Sequence, residues 1–283
     1  MPQCTGRNQR TGERCRRSAA AGASTCAYHG PKATEVTVKA ARSPRPDRKP
    51  AFTTKLLTTR TCDDFETLFA EGTGWGRCGC LFALDARRKT SGGTWAEQRA
   101  VNLRTMRGLV EEGRSHGVLV YDDGAPVAWC QMVARDELRQ ADVAASGADW
   151  YITCFVVEPG YRGLGASSVA LRAAVKAIAG RGGGVVEGRA TAVVTDPPPK
   201  ATSKDLYVDG DVLFFGGAAR VRYGVEVEGA GPVAALYRSR RSMHSAPLGG
   251  TVELYRRAGF EAVGVAPRQK SALADRVIMR RTV

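Results

Sequence analysis

The amino-acid sequence predicts an α/β fold, a sheet of strands interleaved with helices, preceded by a small N-terminal module held by metal. Three observations predict it. Strand-like apolar runs are interleaved with stretches of helical apolar spacing, the pattern of a layered α/β domain. One run, "WYITCFVVEP", is apolar at almost every position, as in a strand covered on both faces. The first thirty residues, by contrast, hold four soft metal ligands and almost no large apolar side chains.

The chain has 283 residues, enough for one large domain and a small one. Apolar residues make up 43% and charged residues 25%, ordinary values for a soluble protein. No apolar run is long enough to span a bilayer, and no apolar signal segment follows Met1, so a cytoplasmic protein is expected. The net charge of +14 is unevenly spread. Residues 1–50 carry eleven Lys/Arg against three Asp/Glu, which suggests a polyanionic partner, nucleic acid first. A solvated, solubilising tail is the competing reading of that arm.

Within residues 1–31, Cys4, Cys15, Cys26 and His29 form a Cys3His set, and the Cys26–His29 spacing is a bite that tetrahedral zinc accepts. So small a segment cannot fold on hydrophobic burial, and bound Zn2+ would supply the missing free energy. With Gly12, Gly22 and Gly30, the stretch resembles a short zinc-finger-like module found at the N-terminus of many bacterial and phage proteins. Residues 32–52, rich in Ala, Lys, Arg and Pro, read as a flexible basic linker.

The main domain, 53–283, opens with a short helix in "TCDDFETLFAEG", with Thr61 or Asp63 as its cap. Val101, Leu103, Met106, Leu109 and Val110 have helical spacing. "GVLVYDDGAPVAWCQMVA" reads as a hairpin turning at Asp123-Gly124. The apolar strand at 150–159, a small-residue helix in "SSVALRAAVKAIAG" and a strand in "GGVVEGRAT" follow. A short helix ending at Gly259 and two closing strands, "EAVGVA" and "RVIMRRTV", complete it. Residues 196–248 exceed what the connection needs, and "DVLFFGGAARVRYGVEVE" within them alternates like a hairpin.

Between the apolar strand and the small-residue helix lies "YRGLGASS". Gly163 and Gly165 bare the main chain, the helix N-terminus offers orphan amides, and Arg162 adds a full charge. That combination is suited to a phosphate. No P-loop motif is present, and the third glycine of a dinucleotide fingerprint is missing. Arg162-Gly163-Leu164-Gly165-Ala166-Ser167 resembles the pyrophosphate-binding motif of the GCN5-related N-acetyltransferases (GNAT), with Ser167 where Gly or Ala is usual. Leu254, Tyr255, Gly259 and Phe260 are similar to a second signature of that family, L-Y-x-x-x-G-F. Cys78-Gly79-Cys80, Trp129-Cys130 and "VVEG" at 185–188 resemble a group of bacterial GNAT proteins whose substrate the resemblance does not supply.

The resemblance implies a GNAT acyltransferase fold, a mixed, splayed central sheet flanked by helices, and acetyl-CoA as co-substrate. It places the pantetheine arm along Phe155, Val156 and Val157, the pyrophosphate on residues 162–167, and Tyr255 as the general acid for the departing thiolate. An amine acceptor must lose a proton before it attacks, so a carboxylate base is needed. Glu187, which interrupts an apolar strand, is the first choice, with Glu158 and Asp136 as alternatives. A packed aromatic is the competing reading of Tyr255, and ion pairing that of each carboxylate. Cys78, Cys80 and Cys130 could gather near the acceptor site, although buried structural thiols are the commoner outcome. Arg238, Arg240 and Arg241 in the insertion suggest an acidic or phosphorylated acceptor, while His116 and His244 are assigned no role.

The function implied is acetyl transfer to a primary amine of a small molecule or protein, with no membrane partner and with a homodimer admitted. A nucleic-acid-associated protein is the alternative. It would be either a non-catalytic binder or an enzyme acetylating an aminoacyl-tRNA or a nucleic-acid-bound protein.

Overall fold

The computed structural model describes residues 46–69, 78–84, 94–138, 146–194, 208–209, 212–215, 220–237, 249–267 and 274–283. The proposed zinc ligands Cys4, Cys15, Cys26 and His29, most of the linker, and Arg238, Arg240, Arg241 and His244 lie outside the described residues.

The chain enters through β1 (Thr53–Leu56), a strand not expected from the sequence, and α1 (Cys62–Leu68). Thr61 sits at the cap position of α1, but its hydroxyl is spent on the Leu56 carbonyl at 2.9 Å. α2 (Trp95–Glu111) starts where Thr94 and Glu97 cap each other: the Glu97 amide donates to Thr94 Oγ1 and the Thr94 amide to Glu97 Oε2, at 3.3 and 2.6 Å. β2 (His116–Asp122) and β3 (Ala125–Ala134) form the expected hairpin. Asp123 and Gly124 both take positive φ, 51° and 78°, the two-residue turn that matches strand twist.

β4 (Trp150–Val157), α3 (Ala166–Ala179) and β5 (Val185–Ala190) follow, and after the insertion come α4 (Val252–Arg256), β11 (Glu261–Val265) and β12 (Val277–Thr282). The main sheet runs β1-β2-β3-β4-β5-β12-β11. All its pairings are antiparallel except β4–β5, which is parallel. The mixed sheet flanked by helices is therefore the architecture expected.

Each face of this sheet carries its own core. On one, α3 and α4 bury Ala170, Leu171, Ala174 and Tyr255 against Val118, Cys130, Met132, Ile152 and Phe155. On the other, α1, α2 and the 78–84 loop bury Phe65, Met106, Cys80 and Leu81 against Leu119, Trp129, Tyr151 and Val156. β4 feeds both, which is why its sequence is apolar throughout.

The insertion builds a second sheet from β6 (Val193–Val194), β7 (Val208–Asp209), β8 (Val212–Phe215), β9 (Arg220–Val227) and β10 (Gly231–Tyr237), ordered β6-β10-β9-β8-β7. β8 and β9 pair antiparallel, the alternation having been legible, and β10 extends the pattern beyond it. Thr191 bridges Thr251, so the whole excursion leaves and rejoins the domain at one point. The second sheet is docked on the main one. Ala234 and Asp275 exchange two hydrogen bonds, at 2.7 and 2.9 Å, and Val227, Val233 and Ala235 are buried in the core that holds Tyr255.

Candidate active site

β4 and β5 pair only at Trp150–Val186, Tyr151–Glu187 and Ile152–Gly188. Beyond Ile152, β4 continues to Val157, still paired with β3, while β5 diverges. Two parallel strands thus open into a fork whose β4 edge, including Phe155, Val156 and Val157, has no sheet partner on that side among the described residues. A bulge at Thr153 sits where the fork begins, since Gln131 pairs with Cys154 and Met132 with Ile152.

β4 leads directly into the glycine loop. A turn of 3-10 helix at Pro159–Tyr161 is followed by Arg162, whose Nε donates to the Val157 carbonyl at 3.2 Å. The Leu164 amide donates to the Tyr161 carbonyl, and Gly163 and Gly165 have φ of 78° and 94°. Gly165 is the N-cap of α3, and its carbonyl accepts from the Ser168 and Val169 amides. The amides of Ala166 and Ser167 therefore stand in the first turn, where an α-helix supplies no acceptor. Nothing lies within 4 Å of where a Gly165 Cβ would be, so the glycine is required by backbone conformation and its surroundings stand open.

At the fork Tyr255 is fully buried, edge-on to Phe155 and Phe260 with ring centroids at 6.2 and 5.0 Å. Its hydroxyl has no hydrogen-bond partner among the described residues. Gly188 makes room for it: a Cβ there would lie 2.3 Å from the phenol. Burial first, then the neighbouring Cys130 thiol, push the phenol well above the ordinary tyrosine value, against the pull of Arg276. Arg276 is itself held by Thr191 Oγ1 at 2.8 Å.

Glu187 is also fully buried, on the other face of β5. Arg280, its register partner on β12, grips one oxygen, with Nη2 and Nε at 3.0 and 3.1 Å from Oε2. Arg189 Nε stands 3.8 Å from Oε1, and that oxygen has no hydrogen-bond partner among the described residues. The alternative carboxylates are elsewhere. Asp136 is exposed in the turn after β3, and Glu158 follows β4 just before the glycine loop, its amide bonded to the Val127 carbonyl. The three cysteines do not gather as one group. Cys80 is on the Glu187 side of the sheet and Cys130 on the Tyr255 side, with Cys154 joining Cys80 instead. Arg280, Arg276 and Cys154 went unnoticed in the sequence, where strand alternation marks a face but no partner.

The site thus combines a strand fork, a glycine loop at a helix N-terminus and a buried phenol. Residues 82–195 match the family model of the acetyltransferase (GNAT) family. The match ends before α4, so Tyr255 and the second signature lie beyond it. Comparison with curated proteins returns no match. Among solved structures, the chain is similar to a GNAT-family protein of Desulfovibrio desulfuricans at 13% identity and TM-score 0.41, covering 82% of this chain and 99% of that one. It is similar to yncA of Salmonella typhimurium, solved with its cofactor acetyl-CoA, at 9% identity and TM-score 0.40, covering 82% and 94%. A GNAT-family acetyltransferase of Streptococcus pneumoniae is similar at 10% identity and TM-score 0.37, covering 82% and 99%. Among the described residues, no group of His, Cys, Asp and Glu is arranged to hold a metal, and no helix is long and apolar enough to cross a membrane.

Proposed function

We propose that the protein transfers the acetyl group of acetyl-CoA to a primary amine presented at the fork between β4 and β5. The observation that carries this reading is the early end of the β4–β5 pairing at Ile152, with β4 running on into the glycine loop and α3. An extended pantetheine arm fits such an edge as an added strand, along Phe155, Val156 and Val157. The pyrophosphate then falls on Arg162 and the amides of Gly163, Gly165, Ala166 and Ser167, where helix-terminal donors favour an anion, while the Leu164 amide holds the loop through the Tyr161 carbonyl. An amide of the β4 edge aimed at the thioester oxygen would stabilise the charge that develops as the amine adds, commonly the largest catalytic contribution.

Proton transfer is divided between the two faces. An alkylamine with a pKa near 10.4 is mostly protonated at neutral pH and must lose that proton to attack. Glu187 keeps one oxygen on Arg280, and the other, with Arg189 Nε at 3.8 Å and no hydrogen bond among the described residues, is the one to accept it. Tyr255 keeps its proton through neutral pH because burial raises its value, and so can meet the departing thiolate from the opposite face. A phenol less acidic than the thiol transfers its proton incompletely. Its contribution is then as much a hydrogen bond to the thiolate as a full transfer.

Calorimetry of the full-length protein with acetyl-CoA, followed by mass spectrometry of metabolite and peptide amines incubated with labelled acetyl-CoA, tests this. Saturable binding and a labelled amine are expected; absence of binding overturns the reading. The basic arm supports a narrower acceptor class, an amine carried by a nucleic acid or by a protein bound to one. The Cys3His spacing supports Zn2+ in that arm as a structural ion. Elemental analysis should find one zinc per chain, lost together with salt-sensitive tRNA or DNA binding when residues 1–50 are deleted. Equal, weak binding by both proteins at low salt removes the nucleic-acid reading.

A further inference from the structure

Cys80 is held in an unusual position. Gly79 and Cys80 both have φ of 53°, and for a residue with a side chain the left-handed region persists only where the surroundings enforce it. Two hydrogen bonds from β3 enforce it here. Gln131 Nε2 donates to the Cys80 carbonyl at 2.8 Å, and Trp129 Nε1 donates to the Cys80 sulfur at 3.2 Å. The thiol is thereby pressed onto the β3–β4 pair.

What it meets there is set by the bulge. Cys154 is the register partner of Gln131, and Thr153, the extra residue, donates from Oγ1 to Gln131 Oε1 at 2.8 Å. The extra residue turns Cys154 to the face shared by Tyr151, Val156 and Cys80. Cys154 packs against the cluster that holds Cys80, and its register partner Gln131 is the residue that holds the Cys80 carbonyl. Cys80 is 2% exposed, whereas Cys154 is half-buried and lies past Ile152, in the open part of the fork. Burial pushes the Cys80 thiol well up, so Cys154 is the sulfur that an incoming oxidant reaches first.

We propose that Cys80 and Cys154 form a dithiol site at the fork that a peroxide converts to a disulfide, tying the 78–84 loop to β4. The Cys154 sulfur attacks one peroxide oxygen and the O–O bond breaks. The sulfur gains that oxygen as a sulfenic acid, and the other oxygen leaves as water with the thiol proton. The Cys80 sulfur then displaces the sulfenic oxygen, which leaves as a second water with the Cys80 proton. Two thiols have lost two electrons and two protons, and one peroxide has become two waters. This chemistry does not depend on whether the fork transfers acetyl groups.

The full-length reduced protein is treated with stoichiometric hydrogen peroxide, blocked with N-ethylmaleimide, digested and sequenced by mass spectrometry. A Cys80–Cys154 cross-linked peptide, cleaved by dithiothreitol, is expected. It should persist in Cys78→Ser and Cys130→Ser and vanish in Cys80→Ser, where dimedone should instead label Cys154. Cross-linking of Cys154 to Cys78, or oxidation of Cys154 to sulfinic acid with Cys80 still free in wild type, overturns the proposal. The decisive measurement is on the wild-type chain, so a variant that folds poorly leaves it intact.

Discussion

Glu187 and Tyr255 approach the same strand from opposite sides. Gly188, next to Glu187, is the residue that leaves space for the Tyr255 phenol, so strand alternation alone puts the carboxylate and the phenol on different faces of β5. If the proposed roles hold, an acyl group at the fork has its base on one side and its acid on the other, without the two neutralising each other.

Tyr255→Phe separates catalysis from packing. The hydroxyl has no partner among the described residues, so removing it should leave Tm unchanged or slightly higher. If Tyr255 protonates the leaving group, kcat should fall about a hundredfold or more while acetyl-CoA affinity is kept. Unchanged kcat would return Tyr255 to the core as a packed aromatic.

Glu187→Gln should reduce both activity and stability, because Arg280 loses its counter-ion. Arg280 is about one-third exposed, at 34%, which limits the stability loss to about 1–3 kcal/mol. Adding Arg280→Met to Glu187→Gln should recover most of the melting temperature and none of the turnover. Recovery of both would show that Glu187 acts only as an ion-pair partner.

Gly165→Glu tests the phosphate loop. Losing two charge-assisted hydrogen bonds costs roughly 3–6 kcal/mol, at least a hundredfold in acetyl-CoA affinity. Since φ is 94°, any side chain here is also strained, and Gly165→Ala supplies the control at about 1 kcal/mol of stability. Calorimetry should find binding lost in Gly165→Glu and retained in Gly165→Ala. Wild-type binding by Gly165→Glu would exclude a pyrophosphate at this helix.

Asp122 links the segment before β1 to the turn that leads into the glycine loop. It accepts from the Ala51 amide at 3.0 Å and the Tyr161 hydroxyl at 3.1 Å, and pairs with Arg48 at 3.1 Å. Burial alone would raise its carboxyl, but these three partners outweigh burial and hold it below the ordinary value. A depressed folded-state value contributes stability above the unfolded value, about 3.9, and that contribution is lost as pH falls through the folded one. Asp122→Asn should therefore melt lower than wild type at pH 7, with the gap closing below about pH 4. Melting curves that stay parallel from pH 7 to pH 3 would remove Asp122 from the acid response.

Much of this was legible along the chain because the signals are local. The Asp123-Gly124 turn, the glycines at the head of α3 and the continuous apolarity of β4 depend on residues within a few positions of each other, and each formed where expected. β1 is different. Its four residues are exposed, carry no alternation to read, and exist as a strand because β2 offers a free edge.

By itself the sequence determined the layered α/β class, the glycine loop at the head of α3 and the residue types that acyl transfer would require. Tertiary structure alone decided which of these meet. Glu187 and Arg280 are 93 positions apart, and only the β5–β12 register joins them. Cys154, and not Cys130, lies beside Cys80 because the bulge at Thr153 shifts the alternation of β4 by one residue. Local preference acts over a turn of chain, whereas register and bulges are set by how whole strands bury their faces, and so can be read only in the folded molecule.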